Sequence, residues 1–70
     1  MSPYQQVIVE ATAVSGKDAE YIEDIMRNDI FHSTLDWQSR AQLVRGARVA
    51  LKMLKLYRAD PFLAKHFPKA

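Results

Sequence analysis

Seventy residues, 49% of them hydrophobic and 26% charged, have the balance of one globular domain and leave no room for a second. The absence of cysteine excludes disulfides, Cys-ligated zinc and iron–sulfur clusters together. The net charge is a mild +2, unevenly divided: residues 1–36 carry seven acids against two bases, net −5, and residues 37–70 carry eight bases against Asp60 alone, net +7.

A domain this short buries little apolar surface, so its stability has to come from oligomerisation or from unusually good helix packing. The charge division implies either that the two halves attract each other, within one chain or between two, or that a basic surface serves an acidic partner. The opening "MSPYQQVIVEATAV" has no basic start and no long apolar core, and no apolar run approaches the roughly 18 residues of a membrane span. The expected location is cytoplasmic, without membrane contact.

Ser2-Pro3 followed by Tyr4, Val7, Ile8, Ala11 and Val14 has the spacing of a capped helix: serine at the N-cap, proline at the first position, apolar residues three or four apart. The β-branched run "VIVEATAV" competes as a strand, but helical spacing accounts for more of it, and Gly16 is placed to stop the helix. Ser15 and Asp18 form a capping-box pattern for a second helix, with Ala19, Ile22, Ile25 and Met26 as its apolar stripe and Glu20, Glu23, Asp24 and Arg27 facing water.

A third helix is expected from about Leu35 to Arg58. At about 100° per residue, Leu43, Ala47, Ala50, Leu51, Leu54 and Tyr57 share one face. Arg45, Arg48, Lys52 and Lys55 gather roughly opposite, and Val49, Met53 and Leu56 lie beside them. Asp60-Pro61 then reads as the cap and first position of a short C-terminal helix, packed back through Phe62, Leu63 and Phe67 and ended by Pro68.

Between the second and third helices runs "IFHSTLDWQSR", Ile30 to Arg40, which concentrates reactive side chains. A catalytic reading makes Ser33 the nucleophile, His32 the base and Asp36 its orienter. Neighbours in one turn point apart, whereas such triads draw on separate parts of a fold, and no glycine-rich segment offers an oxyanion hole. A zinc site from His32, Asp36 and His66 has no spacing to demand it. The helix-corner reading explains more: Ser33 or Thr34 caps the third helix, Asp36 sits in its first turn, and Ile30, Phe31, Leu35 and Trp37 pack the corner.

The segment "IMRNDIFHSTLDWQSRAQLVRGA", Ile25 to Ala47, resembles a stretch of uncharacterised small bacterial proteins in which an IFHSTLDWQS-like core follows an acidic helix. The resemblance implies a bacterial source and brings no activity, cofactor or catalytic residue.

Two features of the third helix point to binding. Its basic stripe suits a phosphate backbone or an acidic protein, although a base-reading helix would interleave Asn, Gln or Ser among the cations, and Gln38, Ser39 and Gln42 lie a turn or more upstream. Its length, about 36 Å for 24 residues, exceeds what a compact 70-residue chain covers, so part of it should project or lie along another chain. Gly46 and Ala50, four apart, leave room for a close helix neighbour.

The expected protein is therefore a single-domain all-α bundle, residues 1–70, of three main helices plus a short C-terminal helix. It is not an enzyme and has no metal, cofactor or catalytic residue. It acts through protein–protein interaction or as a homodimer, with Gly46, Val49, Ala50, Met53 and Leu56 as the candidate interface. The alternative is a nucleic-acid-binding regulator using Arg45, Arg48, Lys52 and Lys55, which would equally contact an acidic partner.

Overall fold

The computed structural model describes residues 2–30 and 39–69. Three α-helices pack together, and no strand occurs among the described residues: α1 (Pro3–Thr12), α2 (Gly16–Ile25) and α3 (Arg40–Ala59), with α2 running on into a π-helical turn at Met26–Ile30. The segment expected to be either helix or strand is the helix α1.

Its start follows from two residues. Extended Ser2 accepts the Gln5 N–H on its Oγ at 3.2 Å, and the Gln5 side chain accepts the Ser2 N–H at 3.3 Å, which completes a capping box ahead of Pro3. Its end differs from expectation. The left-handed residue that closes α1 is Ala13, at φ 54° and ψ 33°, whose N–H donates to Val9 O at 2.8 Å. Gly16 does not stop α1; it opens α2, because Ser15 takes the N-cap and accepts the Asp18 N–H at 3.3 Å. A serine hydroxyl satisfies a free helix N–H, whereas a left-handed glycine at that place would leave α2 without a cap. Only half of the expected capping box forms there, since the Asp18 carboxylate turns to Arg58.

The expected stripes meet in one core. Ile8 of α1, Ala19, Ile22 and Ile25 of α2, Met26 of the π turn, and Leu43, Ala47, Ala50 and Leu54 of α3 are all buried. Among the described residues no polar or charged side chain is buried. Gly46 is buried on α3 with Ala47 and Ala50. These small residues let the backbone of α3 approach its neighbours closely, which offsets the roughly 1 kcal/mol that a glycine costs in mid-helix.

The third helix starts later than expected. Ser39, extended at φ −137° and ψ 151°, is its N-cap and accepts the Gln42 N–H at 3.2 Å. Ser33 and Thr34, the expected caps, lie outside the described residues with His32, Asp36 and Trp37. Twenty residues make a helix of about 30 Å, against a longest dimension of 34 Å and a radius of gyration of 11.3 Å. The helix therefore runs nearly the full length of the molecule. Both shorter helices pack along it.

Beyond α3 the expected short helix is a run of turns. Asp60 Oδ1 accepts the N–H groups of Phe62 and Leu63 at 2.8 and 3.3 Å, and Ala64 N–H reaches Asp60 O at 2.9 Å. Six residues between Pro61 and Pro68 do not repay helix nucleation. Only one of the three expected anchors packs. Phe67 meets Tyr21 edge-on at 5.7 Å and Tyr57 at 5.2 Å, while Phe62 is 84% exposed and Leu63 lies at the surface.

The tail is fastened by Arg58. Its Nη2 and Nη1 donate to the two Asp18 carboxylate oxygens at 2.7 and 3.3 Å, Nε to Phe67 O at 2.8 Å, and Nη2 also to Pro68 O at 2.7 Å. Both side chains of this pair are about one-seventh exposed, so water screens it weakly. Arg58→Met should lower unfolding free energy by about 2–3 kcal/mol by leaving Asp18 unpaired. Thermal melts check this, and the near-ultraviolet signal of Tyr21 and Tyr57 should weaken as Phe67 detaches. Ala13→Gly should raise stability by about 0.5–1 kcal/mol, since glycine carries no Cβ penalty at φ 54°. A lower melting temperature for that variant would contradict a left-handed cap.

Candidate interface on the outer face of α3

The face of α3 turned away from the core carries Arg45, Arg48, Lys52 and Lys55, all exposed. They fall within about 80° of the helix circumference and span about 15 Å of its axis. The other arginines are engaged. Arg27 bonds Glu23 at 3.2 Å one turn away and lies over the Tyr4 ring at 5.5 Å. Arg40 pairs with Glu10 of α1, and Arg58 with Asp18 of α2. Among the described residues, no carboxylate pairs with Arg45, Arg48, Lys52 or Lys55. The acidic second helix thus meets the basic third through Arg58, which lies outside the stripe.

Helix geometry explains the division. Core residues of α3 occupy the sector of Leu43, Ala47, Ala50 and Leu54, and Arg58 falls at the edge of that sector, within reach of α2. The four cations lie on the far side, beyond the carboxylates of the other helices. Between Arg40, Arg45, Arg48 and Lys52, the side chains of Ala41, Val44 and Val49 line an open hollow. Ala41 and Val44 are absent from the interface expected from sequence, yet Ala41 falls in the angular sector of the stripe and Val44 just beyond its edge, which was the available signal.

The expected interface residues separate into two groups. Gly46 and Ala50 are buried within this chain, so the close approach they permit is used by its own helices. Val49 is 46% exposed and Leu56 is 69% exposed, and Met53 sits partly buried at the core margin. Val49 and Leu56 are one heptad apart, with Met53 between them. This makes a short apolar seam whose one side is bounded by Arg45 and Lys52, and whose other side turns into the core through Ala50 and Tyr57.

Of the residues weighed for chemistry, His66 is exposed on the terminal turns, and Ser39 is occupied as a helix cap. His32, Ser33 and Asp36 lie outside the described residues. Among the described residues no three His, Asp or Glu side chains gather in a way that would hold a metal ion, and no helix is long and apolar enough to cross a membrane.

Away from the stripe, the outward side of α2 is acidic. Partial burial pushes the Asp24 carboxyl above the usual 3.8, repulsion from Glu23 and Glu20 adds to the rise, and Arg27 opposes it. The last turn of α2 is also the wrong end of the helix dipole for an acid. A carboxyl with a raised folded pKa binds its proton more tightly when folded, so its contribution is unfavourable at neutral pH. That contribution fades as pH falls through the window just above 3.8. Asp24→Asn should therefore raise the melting temperature at pH 7 by the equivalent of about 0.3 kcal/mol, the size of one screened like-charge helix pair. The difference between the two proteins should vanish in acid.

No known family model matches this chain, and neither a curated protein nor a solved structure does.

Proposed function

We propose that this chain is a non-enzymatic binding module that docks an acidic protein partner on the outer face of α3. The observation that carries this reading is the contrast between the cations. Arg27, Arg40 and Arg58 are each paired within the chain, and Arg45, Arg48, Lys52 and Lys55 stand together, exposed, with no carboxylate partner among the described residues. Four like charges on one helix face repel one another, and an anionic surface relieves that repulsion while steering the encounter.

Val49 and Leu56 favour protein over nucleic acid. An apolar seam beside the cations suits a partner that is itself part apolar, whereas a phosphate backbone has nothing to place on it. Nucleic-acid binding is the second reading, favoured by the linear spacing of the cations alone. A homodimer through α3 sets four cations of one copy against four of the other, and its expected small-residue contacts, Gly46 and Ala50, are already buried.

The test compares polyglutamate, polylysine and a mixed-sequence DNA duplex by fluorescence anisotropy. Polyglutamate should bind saturably, weaken as salt rises, and lose about tenfold in affinity in the Arg48→Glu, Lys52→Glu double variant. The melting temperature of that variant should stay close to the parent's, because neither cation holds a partner in the fold. Duplex binding much tighter than polyglutamate binding would transfer the reading to nucleic acid. Failure of both anions to bind would end it.

A further inference from the structure

We infer that the partner's docking element is an amphipathic α-helix carrying acids along one flank only, seated lengthwise on the Val49–Met53–Leu56 seam; this rests on the reading of α3 as a docking face for an acidic protein. Val49, Met53 and Leu56 follow the four-then-three spacing of a helix-packing seam. Arg45 and Lys52 stand at the positions that bound such a seam, where a partner helix presents its own flanking charges. Arg48 and Lys55 stand one step further out. All four cations lie on the same side. The opposite side of the seam runs into the core through Ala50 and Tyr57 and carries no cation. A complementary helix therefore needs apolar residues at heptad spacing with Asp or Glu on one flank, over about 16 Å or three turns.

Among the described residues, no surface of a second copy of this chain supplies that element. The exposed side of α2 has acids, Glu20 and Asp24, but its other exposed residue is Lys17, with nothing large and apolar. The other exposed large apolar side chains, Phe62 and Leu63, are followed by Lys65, His66 and Lys69, and Asp60 beside them is occupied in capping the turn. No described surface joins acids to exposed large apolar residues, so the match is sought in a different chain.

The experiment is selection from a displayed library of three-heptad helices, with Leu, Ala, Glu, Lys and Gln randomised at the seam and flanking positions, against the intact chain. Enriched sequences should combine leucine at the seam with glutamate on a single flank. A synthetic peptide of that consensus should bind about tenfold more weakly to Leu56→Asp and to Lys52→Glu, each tested as a folded protein. Exchanging for lysine only the consensus glutamate that faces position 52 should restore binding to Lys52→Glu in part. Enrichment of acids without an apolar register overturns the helix but leaves the acidic-partner reading standing. Enrichment of glutamate on both flanks overturns the one-sided geometry. If nothing is enriched, the inference fails, and polyglutamate binding then decides separately whether the underlying reading fails with it.

Discussion

Three separate parts of this chain depend on the contact of Arg58 with Asp18, Phe67 O and Pro68 O: the first turn of α2, the last turn of α3 and the C-terminal tail. The two charged partners are forty residues apart, so the bond closes a long loop in a protein that has no disulfide to do so. The guanidinium also lies 5.9 Å from the centroid of the Tyr21 ring, and Phe67 packs against that same ring. A lysine would not replace it, because the site needs several donors in a fixed plane. The tail is an integral layer over the ends of α2 and α3, although it forms no helix of its own.

Charge explains much of the rest. The sequence is acidic in its first half and basic in its second, and among the described residues the fold uses that division only at its edges. Arg40 with Glu10 and Arg58 with Asp18 each tie α3 to another helix, near its two ends. Their values are unequal. The Arg40–Glu10 pair is more than half exposed, which leaves it worth little in water, whereas the Arg58 pair is largely enclosed. Between those ends, the outer face of α3 keeps its cations for solvent or for a partner. The crowding on α2 is the mirror image, with Glu20, Glu23 and Asp24 held in one stripe and relieved in part by Arg27.

The apolar pattern was legible almost residue by residue. Ala19, Ile22, Ile25 and Met26, and Leu43, Ala47, Ala50 and Leu54, follow from helical periodicity because burial selects a face and the face repeats every 3.6 residues. The helix ends were less legible. Gly16 suits a helix stop as well as the position after an N-cap, and three hydroxyl residues, Ser33, Thr34 and Ser39, precede α3, so the local sequence does not single out the cap that forms. The Asp18–Arg58 bond was invisible, since nothing local links positions forty apart. Of the candidate interface, Val49 and Leu56 were recognisable as surplus apolar residues outside the core stripe. The fate of Gly46 and Ala50 was not, because small residues at four-residue spacing serve a neighbour inside the chain as well as one outside it.

One helix thus has two faces with different physical duties, and the separation has a consequence for how they respond to change. The core face depends on shape: Gly46, Ala47 and Ala50 set how near the other helices come, and any added methyl there forces them apart. The outer face depends on charge and on two exposed apolar side chains, none of which supports the fold. Val49 and Leu56 gain little from folding because about half or more of their surface stays in water. Exposed apolar residues add little to stability, and a covering surface would bury what they leave in water. Their position beside four cations that pair with no carboxylate among the described residues places charge and apolar surface together along a single line. A linear arrangement of that kind matches another helix better than it matches a rounded surface.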